Sequence, residues 1–102
     1  MKDKYYYKDG TTSSGYHDTS KQLHRVDGPT IESKDYKAWY VDGKLHRIDS
    51  PAVEYANGTK SWYIDGEEYS EEEFNELMEE AKQLPKVLKL IDPREWVRNY
   101  ER

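Results

Sequence analysis

Between residues 29 and 64 the apolar positions fall in short runs that alternate with polar ones. Pro29-Thr30-Ile31-Glu32 and Ala52-Val53-Glu54-Tyr55 are two such runs, and Lys60 to Ile64, rich in aromatic and β-branched residues, is a third. A period of two places successive side chains on opposite faces of an extended chain, so these runs predict strands. Tight turns separate them. Asn57-Gly58 supplies the positive φ that hairpins need, and Asp42-Gly43, Asp65-Gly66 and Asp9-Gly10 do the same. Pro29 and Pro51 lack an amide donor and interrupt the ladder between hairpins.

After residue 69 the period lengthens. Ser70-Glu71-Glu72-Glu73 is a capping box, with acids in the first turn that suit the helix dipole. Phe74, Leu77, Met78, Ala81 and Leu84 follow at helical spacing, and Pro85 ends or kinks the helix. Asp92-Pro93 opens a second helix with Trp96, Val97 and Tyr100 on its apolar side. The pattern predicts an α+β fold: an antiparallel β-meander of repeated hairpins, of about six or seven short strands, capped by two C-terminal helices. One domain is expected over 1–102, with a fragment and polar loop over 1–20, tandem hairpins over 21–69 and a helical cap over 70–102. Residues 11–20, TTSSGYHDTS, are expected as a loop.

The strand pattern repeats. Residues 23–43 read LHRVDGPTIESKDYKAWYVDG and residues 45–66 read LHRIDSPAVEYANGTKSWYIDG. The offset is 22 residues at Leu23/Leu45 and 23 at Trp39/Trp62, so one internal turn differs by a single residue. Tyr6-Tyr7-Lys8-Asp9-Gly10 matches the end of the unit. Such periods mark stacked supersecondary units. Strand geometry then separates the aromatics. Trp39 with Val41 and Trp62 with Ile64 share one face; Tyr40, Tyr63 and Tyr7 share the other. If Asp42-Gly43 is a two-residue turn, Tyr40 stands opposite Leu45 and Trp39 opposite His46. The Trp side is the expected core, and the Tyr side is either a second packed layer or a binding surface.

Composition narrows the function. Hydrophobic residues make up 34% and charged residues 36%, and ten Tyr with three Trp dominate the apolar part, so aromatics must build much of the core. The absence of cysteine excludes disulfides, thiol catalysis and thiolate metal sites. No apolar run is long enough to span a membrane, and MKDKYYYKDG has no signal-peptide core, so a cytoplasmic protein is expected. The net charge of −5 is local: residues 67–80 carry eight acids and no base, while residues 1–66 balance. That distribution argues against nucleic-acid binding.

Two His-Arg-x-Asp segments carry the candidate chemistry. His24 and Arg25, with His46 and Arg47, are candidate ligands for a small anion such as a nucleotide signal. The competing reading makes them scaffold, because structural residues recur in register and catalytic ones seldom do. Two histidines 22 residues apart are a weak metal signal, and no nucleophile, phosphate-loop or metal motif appears. No enzyme activity, cofactor or metal is expected. Tyr7, Tyr40 and Tyr63, and Glu72, Glu76 and Glu79 of the acidic block, are the candidate partner-binding residues. A homodimer through an edge strand or the aromatic face is also open.

Residues 23–74, LHRVDGP…AWYVDGKLHRIDSPAVEYANGTKSWYIDGEEYSEEEF, resemble the short "HRxDGPA…dG…WYxnG" repeat proteins of tailed phages and large viruses, themselves distantly similar to MORN repeats, a likeness that covers roughly residues 22–75. The ending, in which a last WYxDG leads into a Ser-Glu-Glu-Glu-Phe helix, is part of the likeness. Ser50 stands where the family has Gly, and Asp35 stands at a shortened turn. The resemblance implies a β-repeat fold and a phage origin. By analogy, a small acidic phage protein implies a non-enzymatic inhibitor of a host protein, for example a CRISPR–Cas, restriction or signalling component. The alternatives are a nucleotide sponge and a virion-associated structural module.

Overall fold

The computed structural model describes residues 2–81, and the expected second helix, with Leu84 and Pro85, lies outside them. Among the described residues the chain forms nine strands and one helix: β1 (Lys4–Tyr6), β2 (Thr12–Ser14), β3 (Ile31–Glu32), β4 (Tyr36–Ala38), β5 (Tyr40–Val41), β6 (Lys44–Leu45), β7 (Val53–Tyr55), β8 (Lys60–Ile64), β9 (Glu67–Tyr69) and α1 (Glu71–Ala81). Seven strands make one antiparallel sheet in the order β2-β1-β3-β4-β7-β8-β9, and β5 and β6 form a separate hairpin. The expected α+β class holds at this level. No helix of the described residues is long and apolar enough to cross a membrane.

Turn chemistry sets the connections. Asp42 and Asp65 both take φ of 52°, followed by Gly43 at 80° and Gly66 at 84°, the left-handed pair a type I′ hairpin requires. Tyr40 therefore faces Leu45 across β5–β6, as the two-residue turn predicts. Asn57-Gly58 behaves differently. The Tyr55 amide donates to the Thr59 carbonyl at 2.9 Å and only Gly58 is left-handed, so Ala56, Asn57 and Gly58 form a three-residue loop. The matching turn after β3 holds two residues, Lys34 and Asp35, between Ser33 and Tyr36, which bond at 3.0 Å. That difference accounts for the one-residue change in spacing.

The polar run 11–20 contains a strand where a loop is expected. Asp9 accepts from the Thr11 amide at 2.9 Å and turns the chain back onto β1. Ser13 is buried, and its hydroxyl bonds Tyr7 Oη at 2.7 Å and the Tyr16 carbonyl at 2.6 Å. Satisfied in this way, a serine can occupy an inward strand position without an apolar side chain.

Register defines the two faces of the sheet. Tyr5, Ile31, Ala38, Val53 and Ser61 are successive cross-strand partners and share one face. Lys4, Glu32, Lys37, Glu54 and Lys60 are partners on the other face and alternate in sign at every step. The glutamates of this row pair with arginines: Glu32 with Arg25 at 3.4 Å and Glu54 with Arg47 at 3.2 Å.

The core corrects the expectation for the Trp side. Tyr7, Leu23, Ile31, Ala38 and Val53 form the buried cluster, with Tyr5, Tyr36, Tyr40, Leu45 and Tyr63 packed against it. This is the tyrosine side. The Trp side divides. Trp62 joins Ile64, Tyr69, Phe74, Leu77 and Met78 in a second cluster beneath α1. Trp39 instead lies under the Arg47 guanidinium, 3.8 Å from its ring centroid, and needs no apolar cover. The capping box is formed: the Ser70 amide donates to Glu73 Oε1 at 3.0 Å, and the Glu73 amide to Ser70 Oγ at 3.1 Å.

Candidate functional site

Three places on the molecule gather the candidate residues. The first is an open cleft of about 710 Å³ between the two His-Arg-x-Asp loops, lined by both loops together with Trp39, Val41 and Asp42. It brings His24, Arg25, His46 and Arg47 together, but their bonding atoms face inward. His24 Nδ1 accepts the Asp42 amide at 3.0 Å, and His46 Nδ1 accepts the Asp65 amide at 2.9 Å. Each histidine thus holds the first residue of an Asp-Gly turn. Arg25 donates to Asp27 at 2.8 Å, the Pro29 carbonyl at 3.0 Å and Glu32 at 3.4 Å, and stacks 3.9 Å above Tyr6. Arg47 donates to the Pro51 carbonyl at 3.1 Å and Glu54 at 3.2 Å, with Asp49 at 3.5 Å, above Trp39.

Electrostatics agrees with this reading. Burial draws the Arg25 guanidinium down, but the Asp27 hydrogen bond and the charges around it outweigh burial and leave it above the usual arginine value. The same hydrogen bond and charge hold Asp27 below the usual carboxylate range. The cleft lining holds Asp27, Asp42 and Asp49 against the two guanidiniums, so it offers an anion no net attraction. These residues brace the loops.

The second place is helix α1. Glu72, Glu76 and Glu79 lie together with Asn75 and Glu80 on its exposed side, as helical spacing predicts. The first turn is acidic and the last turn carries no base.

The third place is the tyrosine face, and here the predicted residues separate. Tyr7 is 4% exposed; its hydroxyl meets Ser13 Oγ and accepts the Asp18 amide at 2.8 Å, so it belongs to the interior. Tyr40 and Tyr63 are half-buried, with their rings against the core cluster. Tyr5, Tyr36 and Tyr55, which are not among the candidates from the sequence, lie on the same face. Tyr36 and Tyr55 are cross-strand partners with ring centroids 6.2 Å apart, and Tyr55 is 43% exposed. Their signal was the alternation Tyr36-Lys37-Ala38 and Val53-Glu54-Tyr55, which places both tyrosines with the apolar positions.

None of the hydroxyls of Tyr5, Tyr36, Tyr40, Tyr55 and Tyr63 is hydrogen-bonded among the described residues. Among the described residues no buried side-chain oxygen lacks a partner either, so these phenols meet solvent. Burial, then neighbouring phenols and acids, raise Tyr5, Tyr36, Tyr40 and Tyr63 above the ordinary tyrosine value. Each therefore stays a neutral donor and acceptor on a rigid ring. Among the described residues no His, Asp and Glu cluster is arranged to hold a metal.

Comparison with protein-family models, with curated proteins and with solved structures finds no match to this chain.

Proposed function

We propose that the chain is a non-enzymatic protein-binding module whose docking surface is the tyrosine face. One observation carries this reading. Five phenols gather on one side of the strands, with Tyr5, Tyr36, Tyr40 and Tyr63 packed against the core and Tyr55 exposed beside Tyr36, and none of their hydroxyls has a partner among the described residues. Tyrosine fixed in this way offers large contact area at low entropic cost, together with a hydrogen-bonding tip. The His-Arg-x-Asp segments act as scaffold of tandem hairpin units, which supports the repeat reading over the nucleotide sponge. In the phage setting that the resemblance implies, the proposed role is inhibition of a host protein, such as a defence-system component, in the bacterial cytoplasm.

The test is capture from bacterial lysate by the tagged full chain and by three variants. A stoichiometric protein partner is expected with the wild type, lost with Tyr55→Ala. Recovery with Tyr55→Phe, which keeps the ring and removes the hydroxyl, is expected to fall between the two. Equal recovery by Tyr55→Ala, combined with loss on charge reversal of Glu72, Glu76 and Glu79, would move the surface to the acidic helix.

A further inference from the structure

The rings on the two faces of the sheet are treated differently by the chain. On the charged face, Arg25 stacks 3.9 Å from the Tyr6 centroid and Arg47 3.8 Å from that of Trp39. The lysine contacts are looser, at 5.4 Å over Tyr6 on this face and 5.8 Å over the buried Tyr7 on the tyrosine side. A planar guanidinium covers an aromatic ring flat, whereas an ammonium meets it as a point. On the tyrosine face no cation of the described residues lies over Tyr36, Tyr40, Tyr55 or Tyr63.

Both ends of that face are acidic. Glu68 is the cross-strand partner of Tyr63 and so shares its face. Asp3 precedes Lys4, which points to the charged face, so alternation returns Asp3 to the tyrosine side. Both carboxylates act electrostatically on these phenols, Asp3 on Tyr5 and Tyr36, and Glu68 on Tyr63. A surface of rings, neutral hydroxyls and flanking carboxylates complements a cation and repels a phosphate backbone.

We propose that the tyrosine face takes an extended, arginine-bearing segment of its protein partner, with guanidiniums stacked on Tyr36, Tyr40, Tyr55 and Tyr63 and flanked by Asp3 and Glu68. The proposal rests on the protein-binding reading above and adds the chemistry of the partner. From β1 to β9 the face crosses five interstrand steps. At roughly 4.8 Å each this is about 24 Å, the reach of about seven extended residues. The charged face shows the same contact in miniature, supplied there from within the chain.

The experiment titrates the isotope-labelled full chain with three seven-residue peptides of matched sequence, carrying arginine, lysine or glutamate at alternate positions. The arginine peptide is expected to shift the ring resonances of Tyr36, Tyr40, Tyr55 and Tyr63. It should bind about tenfold more tightly than the lysine peptide. Tyr55→Ala should weaken it by about tenfold or more, with an unchanged melting temperature as the folding control. Asp3→Asn with Glu68→Gln should flatten its salt dependence. Shifts confined to α1, equal affinity for arginine and lysine, or preference for the glutamate peptide would each overturn the proposal. If Tyr55→Ala abolishes partner capture from lysate yet the arginine peptide leaves the tyrosines unmoved, the arginine chemistry fails alone. If the wild type captures no protein, the protein-binding reading fails and this proposal with it.

Discussion

The two faces of the sheet use similar side chains to opposite ends. On one, Lys4, Glu32, Lys37, Glu54 and Lys60 oppose one another in alternating sign, and Arg25 and Arg47 close over aromatic rings while pairing with Glu32 and Glu54. Its guanidiniums and glutamates find their partners inside the chain. On the other, the rings of Tyr5, Tyr36, Tyr40 and Tyr63 complete the core, but among the described residues their hydroxyls and that of Tyr55 find no hydrogen-bond partner. A conspicuous motif such as His-Arg-x-Asp can be wholly occupied by bracing its own loops, while a plain alternation of tyrosines leaves chemistry available to another molecule.

The largest effect should come where the first face gains its apolar cover. Phe74 is 2% exposed and holds α1 against Ile64 and Trp62. Phe74→Ala should cost about 3–5 kcal/mol, read from the shift of the urea midpoint. A loss below about 1 kcal/mol would mean that α1 only decorates the sheet.

A smaller loss should follow at the joint between faces. Thr30 is fully buried, and its hydroxyl accepts the Tyr40 amide at 2.8 Å and donates to the Tyr40 carbonyl at 3.0 Å. The corresponding residue of the second unit is Ala52, which has no such group. Thr30→Val keeps the shape and strips the Tyr40 amide of its partner, while the Tyr40 carbonyl keeps the Arg25 amide at 3.1 Å. It should cost about 1–3 kcal/mol by thermal or urea unfolding. Hydrogen exchange at the Tyr40 amide should quicken at the same time.

These cases also mark what the sequence discloses. The Asp-Gly turns and the Ser70–Glu73 cap were legible because each rests on the chemistry of two to four adjacent residues. The Tyr40–Leu45 register followed from the turn. The side on which the core lies was not legible, because it depends on what packs across the strand. Trp39 reads as a core residue until Arg47, eight positions on, is seen to cover it. The strand Thr12–Ser14 was hidden by its polarity, since its inward serine is satisfied by Tyr7 and by a carbonyl. Of the candidate site, Tyr40 and Tyr63 were in view; Tyr36 and Tyr55 emerged only when pairing brought them together.

The faces should also fail at opposite ends of the pH scale. Tyr5, Tyr36, Tyr40 and Tyr63 titrate above the ordinary tyrosine value when folded. Their contribution is complete below pH ~10, the unfolded value, and is lost as pH climbs through the raised values. Asp27 is lowered, so its contribution is present above pH ~4 and is lost as pH falls through the lowered value. Unfolding followed by tyrosinate absorbance in alkali should therefore report the tyrosine face. Carboxyl resonances in acid should report the arginine loops. Coincident loss of both signals at one extreme of pH would show that the faces do not act separately.

The smallest effect compares the two arginine loops directly. A Cβ built at Gly28 would stand 2.9 Å from Arg25 Cζ, so glycine there lets the guanidinium close on Asp27. The second unit has Ser50 at this position, and Arg47 Nε stands 3.5 Å from Asp49 where Arg25 Nε stands 2.8 Å from Asp27. The obstructing contact is the mobile end of a side chain, so substitution should shift the guanidinium and leave the backbone alone. Gly28→Ser is expected to move the Asp27 carboxyl titration back up toward the ordinary range and to speed exchange of the Arg25 Nε proton. Ser50→Gly is expected to slow exchange of the Arg47 Nε proton. If both variants leave both protons unchanged, the residue before proline does not set the guanidinium position. The difference between the loops would then have to come from Val26 and Ile48, which precede the two aspartates.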